Sequence, residues 1–230
     1  MYAIENNVIK KEKNIKPSST GEKYPEQLTL EIAETTRSKI IASSPLNFQI
    51  ELIERVGEID IPQLILISES LVEEYNENIR LTKPAIRKYF NYPQTLPFVA
   101  RFHGEIIGYI IGVPLALFSN DPSFQCDKNI GENNTLYTYA FVMMKKYKGS
   151  GLGKTLKRVY LSWAKKKGFK YVTGHVREGV SKKFSGEVEI IARFDNWHQS
   201  GKTFEYYRRV LKYGNKFKIR ATNPPIASKI

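Results

Sequence analysis

Two rhythms of apolar residues alternate along this chain, one of period two and one close to the helical repeat, and their order predicts a mixed fold. Phe48, Ile50 and Leu52 alternate with polar neighbours and predict a first strand. Asp60 and Pro62 then open a helix bearing Leu64, Ile67, Leu71 and Tyr75, since aspartate caps helix starts and proline fits the first turn. Pro97 to Phe102 and Glu105 to Val113 are apolar runs separated by His103-Gly104, the pattern of a hairpin. Leu136 to Met144 is rich in aromatic and β-branched residues and predicts another strand. Strict alternation would put Tyr137, Tyr139, Phe141 and Met143 on one face and Thr138, Ala140 and Val142 on the other.

From Gly151 to Lys167 the period changes. Leu152, Leu156, Val159, Tyr160, Trp163 and Ala164 recur at helical spacing, Lys157, Lys165 and Lys166 fall on the polar side, and Gly168 ends the helix. Phe169 to Val176 predicts a strand after it, and Tyr213 to Ile219 a last strand. A strand, glycine loop, helix and strand in this order favour parallel pairing of the two strands.

Composition bounds the remainder. A chain of 230 residues with 41% apolar content can bury one sizeable core, and residues 46–230 are expected to form that domain. Residues 1–45 lack sustained periodicity, hold Lys10-Lys11-Glu12-Lys13, and read as a polar leader with one helix near Leu28 to Ile41. Acidic residues and the lack of an apolar h-region argue against a signal peptide, and no apolar stretch is long enough for a membrane span. Cys126 is the one cysteine, so no internal disulfide forms and a reducing cytoplasm is expected. Three scattered histidines and one cysteine give no metal-binding pattern.

The formal charge of +13 is unevenly placed: Lys145, Lys146, Lys148, Lys154, Lys157, Arg158, Lys165, Lys166, Lys167 and Lys170 occur with no acid between them. Such a run attracts polyanions or is simply a solvated helix face. A nucleic-acid contact is a secondary reading, without a helix-turn-helix, zinc or RNP motif to carry it.

The lysines bracket the glycine loop. Glycines allow tight turns, and the helix that follows offers unpaired amides and the positive end of its dipole, which together make an anion cradle. Gly151-Leu152-Gly153-Lys154-Thr155 ends like a P-loop, but Lys148 stands where that motif needs its first glycine. A second Gly-Lys-Thr, Gly201 to Thr203, has Asn196 at that place. The loop Lys148-Gly149-Ser150-Gly151-Leu152-Gly153 instead resembles the acetyl-CoA motif R/Q-x-x-G-x-G/A of the GNAT acetyltransferase superfamily, with lysine replacing the arginine or glutamine. Lysine keeps the charge and loses the planar fork of arginine, so pyrophosphate contact rests mainly on backbone amides.

The resemblance covers about Leu46 to Ile219 and implies a mixed α/β fold: a central, mostly antiparallel sheet flanked by helices and splayed at the cofactor site. It further implies acetyl-CoA as co-substrate, held by Met143 beside the pantetheine and by Lys148, Gly149, Ser150, Gly151, Leu152, Gly153 and Lys154 around the pyrophosphate. The implied activity is direct transfer of acetyl to a primary amine in a ternary complex. Ser200 to Arg209 sits where the family has a helix of the form N-x-x-A-x-x-x-Y, which makes Tyr207 the general acid. On such a helix Phe204, Tyr207 and Val210 would equally be core residues.

An acceptor amine like that of lysine, with a pKa of about 10.4, costs on the order of 4 to 5 kcal/mol to neutralise at pH 7, so a base or a desolvating pocket must offset it. The strand before the loop holds no acid, and Tyr137 stands about where family members carry a glutamate. His175 and Glu178 are the candidate bases, Asp195 is a further acid, and a water relay is the alternative. His103 and His198 are expected at the surface. The segment Arg177 to Gln199 is longer than the simplest family members need, and Glu187, Glu189 and Trp197 there are candidates for gripping a cationic acceptor. The cross-class alternative is a noncatalytic acyl-CoA-binding or nucleic-acid-contacting module. The acceptor, peptide or small molecule, and a homodimer are left open by the sequence.

Overall fold

The computed structural model describes residues 35–212. They form one eight-stranded sheet in the order β1-β2-β3-β4-β5-β6-β8-β7. The strands are β1 (Arg37–Ser44), β2 (Phe48–Arg55), β3 (Leu96–Phe102), β4 (Glu105–Pro114), β5 (Thr135–Met143), β6 (Tyr171–Arg177), β7 (Val188–Phe194) and β8 (Phe204–Val210). Every neighbouring pair is antiparallel except β5 with β6. Three helices cover the sheet: α1 (Ile61–Val72), α2 (Lys83–Asn91) and α3 (Leu152–Lys166).

The helices divide the core into two layers. Leu64, Ile67 and Leu71 of α1 and Ile86 and Phe90 of α2 pack against Val99, Tyr109, Ile111 and Val142 on one face. Leu156, Tyr160 and Ala164 of α3 pack against Phe98, Ile110, Leu136 and Val172 on the other. A sheet buried on both faces needs apolar residues at successive positions, and β4 meets this with nine consecutive buried residues from Ile106 to Pro114. The second helix had no clear signal in the apolar spacing. It is set by Thr82, whose hydroxyl accepts from the Ala85 amide at 3.3 Å, and by Pro84 in its first turn.

Two close approaches to β4, one involving α3 and β5 and one involving β5 alone, need glycine. A Cβ at Gly112 would lie 2.6 Å from Leu136 Cδ2 and 2.7 Å from Tyr160 Cε2. Gly112→Ala is therefore expected to destabilise the fold by about 1–3 kcal/mol, the usual cost of overpacking, read as a lower midpoint in urea. A change under about 0.5 kcal/mol would mean that α3 yields without cost. Gly108 is tighter still, with Met143 Sδ 2.3 Å from the added atom.

Three expectations change. Residues 37–41, expected in a leader helix, belong to β1, a largely exposed edge strand paired with β2. Alternation along β5 breaks at a bulge, because Ile111 pairs with Ala140 while Gly112 pairs with Thr138, leaving Tyr139 as the extra residue. Tyr139 consequently packs with Ala140 and Val142 towards α1 and α2, while Met143 faces α3. The segment 177–199 supplies an outer strand, β7.

The expected helix from Ser200 to Arg209 does not form, since Phe204–Val210 is β8, hydrogen-bonded to β6 on one side and β7 on the other. Its charges hide the strand pattern because they are buried and partnered. Ser181 Oγ donates to Glu205, Arg208 pairs with Asp127, and the Tyr206 hydroxyl donates to the same carboxylate at 2.9 Å. The predicted strand at Tyr213 to Ile219 lies outside the described residues.

Candidate active site

Strands β5 and β6 pair only from Thr135 to Tyr137 with Tyr171 to Thr173. Beyond that point they separate, and a cavity of about 690 Å³ opens between them. Its walls include Thr138 to Met143 of β5, Gly174 to Arg177 on the other side, and Tyr207 of β8. Backbone groups that would have continued the ladder are thereby freed to meet an extended ligand.

The glycine loop forms one end. A short 3-10 turn, Lys145–Tyr147, leaves β5, and Gly149 and Gly151 follow with φ of 85° and 83°. Only glycine takes that conformation without strain, and Gly151 is the residue from which α3 starts. The first amides of a helix have no partner within it. Gly149, Gly151, Gly153 and Lys154 line the cavity, with Lys148 and Tyr147 beside them. Ser150 and Leu152 do not. Ser150 Oγ donates to the Tyr147 carbonyl at 2.7 Å and holds the loop's shape, while Leu152 packs against the core under α3. Met143 lies on the wall. The residues present fit a pyrophosphate: three glycines, first-turn amides, and Lys148 and Lys154, neither of which has a carboxylate partner among the described residues. Lys145 and Lys146, by contrast, pair with Glu73 and Glu105.

Tyr207 sits where the strands part. Its ring approaches Gly174, where an added Cβ would be 3.3 Å from Cε1 and 3.4 Å from the hydroxyl, with Thr138 Cβ equally near. Burial pushes its phenol up to about 12, with the Thr138 hydroxyl acting in the opposite direction, so it stays protonated at neutral pH. The family pattern that singled it out required a helix. The residue therefore stands on its position in the cavity, not on that pattern.

The two candidate bases fare differently. Glu178 is exposed, 3.6 Å from Arg193 Nε, and is absent from the cavity wall. His175 is on the wall, inside an aromatic box: its ring stacks on Trp197 at 3.8 Å, and Phe124, Phe194 and Tyr206 surround it. Its Nδ1 is 3.0 Å from the Tyr137 hydroxyl. Burial pulls the imidazole down to about 3. Moving a proton to it from an ammonium of pKa about 10.4 would cost on the order of 10 kcal/mol, so His175 is a neutral wall residue and not a base.

The end remote from the loop holds residues that sequence spacing does not connect. Glu74 and Tyr75, just past α1, line the cavity together with Trp197 and His198. Among the described residues Glu74 is the one carboxylate on the wall. The acids expected from the 177–199 segment are occupied elsewhere: Asp195 accepts from Thr203, Glu187 pairs with Lys212 and Glu189 with Arg208. Trp197 does reach the cavity, and His198, expected at the surface, also lines it. A strap formed by the β7–β8 connection ties this end together, with Lys202 Nζ donating to the Glu74 carbonyl at 2.8 Å and Asn76 Nδ2 to the His198 carbonyl. Among the described residues no group of three or more His, Cys, Asp or Glu could hold a metal ion, and no helix is long and apolar enough to cross a membrane.

A family model described as acetyltransferase (GNAT) family matches residues 65–182, just over half of the chain. Tyr207 lies beyond the matched residues. No curated protein matches the chain in sequence. Among solved structures, Ard1 from Thermoplasma volcanium is similar at 17% identity with a TM-score of 0.53, over 73% of this chain and 99% of that one. A GCN5-related N-acetyltransferase from Kribbella flavida matches at 20% identity and a TM-score of 0.53, over the same shares. The ribosomal-protein-S18-alanine N-acetyltransferase from Escherichia coli matches at 11% identity and 0.52, over 74% of this chain and 97% of that one. These similarities concern the fold.

Proposed function

Because the chain belongs to the GNAT acetyltransferase family, we propose that it is an N-acetyltransferase that transfers acetyl from acetyl-CoA directly to a primary amine in a ternary complex. The observation that carries this reading is the opening between β5 and β6, with the glycine loop at one end and Tyr207 beside the point of separation. Acetyl-CoA supplies an activated thioester, so the protein's tasks are juxtaposition and proton management. Amides of Gly149, Gly151, Gly153 and Lys154, with the Lys148 and Lys154 ammonium groups, bind the pyrophosphate. Freed backbone groups of Tyr139 to Met143 pair with the pantetheine arm. Tyr207 donates its proton to the departing thiolate. Glu74 receives the acceptor's ammonium at the far end, and Trp197 offers an aromatic face to the same cation. Deprotonation passes to Glu74 or through water.

The exposed, single Cys126 fits a reducing cytoplasm, and since similar folds include a ribosomal-protein-S18-alanine N-acetyltransferase and an aminoglycoside 6′-acetyltransferase, protein amines and small molecules are both open as acceptors. Calorimetric titration with acetyl-CoA, against ATP with magnesium, tests the reading. Micromolar binding of acetyl-CoA without ATP binding is the expected result. ATP binding would overturn the interpretation of the loop. Acetyl-CoA binding without thiol release on any amine would favour the noncatalytic acyl-CoA module.

A further inference from the structure

Sequence spacing puts Lys157 on the polar side of α3, yet the structure turns it into the cavity. Its ammonium lies 3.5 Å from the ring centre of Phe184 and 5.9 Å from that of Phe141. Phe184 in turn packs on Tyr207, ring centres 5.0 Å apart. Phe141 stands two residues from Met143 on the freed part of β5. The amine therefore sits beside the separation of the strands, in the same cavity as Tyr207, with no carboxylate partner among the described residues. Phe184, which follows the short turn Ser181–Lys183, covers it.

We propose that Lys157 is a self-acylation site, whose Nζ accepts the acetyl group of bound acetyl-CoA when no other amine is present. This rests on the reading of the cavity as an acetyl-CoA site. Nζ gives up one proton to water, forms the N–C bond to the thioester carbonyl and loses a second proton as the tetrahedral adduct collapses. The C–S bond breaks with its electron pair going to sulfur, which takes a proton from Tyr207 or water. Acetyl-lysine and free CoA result, with no oxidant or further reactant needed.

Three properties make this amine different from the exposed lysines of the helix. It is inside the cavity, whereas the exposed Lys166 and Lys167 are not on its wall. Its neighbours are aromatic faces, which hold a cation without sequestering the nitrogen in an ion pair. Burial, with Arg209 adding a smaller push, lowers it to about 8. About one molecule in ten then carries a neutral, nucleophilic amine at pH 7, against fewer than about one in a thousand for an ordinary lysine.

The test incubates the purified full chain with acetyl-CoA, without amine, at a concentration that calorimetry establishes as saturating, and follows each lysine by peptide mass mapping. Lys157 is expected to gain acetyl at least about tenfold faster than the exposed Lys166 or Lys167, reflecting its larger neutral fraction. Excess CoA, which competes for the cavity but carries no acetyl, should suppress modification of Lys157 and leave the exposed lysines unchanged. Lys157→Arg should lose the modified peptide alone. Saturation without acetylation of Lys157, acetylation no faster than at Lys166 and Lys167, or indifference to CoA would each overturn the inference while leaving the cavity's assignment intact. Failure of acetyl-CoA to bind would overturn both.

Discussion

Tyr207→Phe is expected to lower kcat by about 10²–10⁴-fold, the usual contribution of a placed general acid, while acetyl-CoA binds with unchanged affinity. The substitution removes one oxygen and keeps the ring that packs on Phe184 and fills the space left by Gly174. The two roles open to this residue thus separate in a single variant. A packing residue loses nothing essential as phenylalanine, because the volume is conserved. A proton donor loses everything it contributes, because the thiolate must then be protonated by water. A hydroxyl raised to about 12 holds its proton throughout the neutral range, so no loss of the donor form is expected on the alkaline side until well above pH 10. Calorimetry with acetyl-CoA and thiol release on the same preparation check both halves. A kcat within about threefold of the parent would remove Tyr207 from the chemistry and leave it as a wall of the cavity.

Glu74→Gln is expected to reduce kcat/KM for the amine by about tenfold to a hundredfold, the value of a hydrogen bond to a charged group. The Kd for acetyl-CoA should not change. An acceptor arrives as an ammonium, and Lys148, Lys154, Lys157 and Arg177 on the same wall repel it, whereas Arg80 is neutralised by Glu69 and Glu77. One carboxylate offsets them at the far end. The exchange is conservative for the fold, since Lys202 bonds the backbone carbonyl of Glu74 and not its carboxylate. Equal kcat/KM for the variant and the parent would mean that the acceptor enters neutral or docks elsewhere.

The glycine loop, its flanking strand and helix, and the hairpin of β3 and β4 were legible because each is local. Turn chemistry, apolar spacing and a helix stop all lie within a few residues of one another. The errors arose where a distant partner changes what a residue can do. Arg208 and Glu205 look like the polar face of a helix until Asp127 and Ser181 are seen to neutralise them within the sheet. The extra residue in β5 has no mark in the sequence, because Tyr139 suits a strand and it is the pairing with β4 that bulges. Lys157 looked solvated because its spacing says which side of α3 it occupies, not that Phe184 closes over that side. Glu74 was missed for a similar reason. It lies at the tail of α1, and only the three-dimensional path of the chain brings it to the same cavity as Trp197.

The strap between β7 and β8 has a kinetic consequence. Its two anchors, Lys202 to Glu74 and Asn76 to His198, span from one bank of the cavity to the other. At about 1 kcal/mol for each hydrogen bond, and with Trp197 stacked on His175 as a further hold, fewer than about one molecule in thirty is ajar at any moment. An acceptor that must enter by that end meets a gate that is mostly shut, so its entry and its escape are both slowed while its affinity is unchanged. Shortening Lys202 would therefore speed admission and escape together, making the strap a throttle on traffic and not a contributor to the reaction itself.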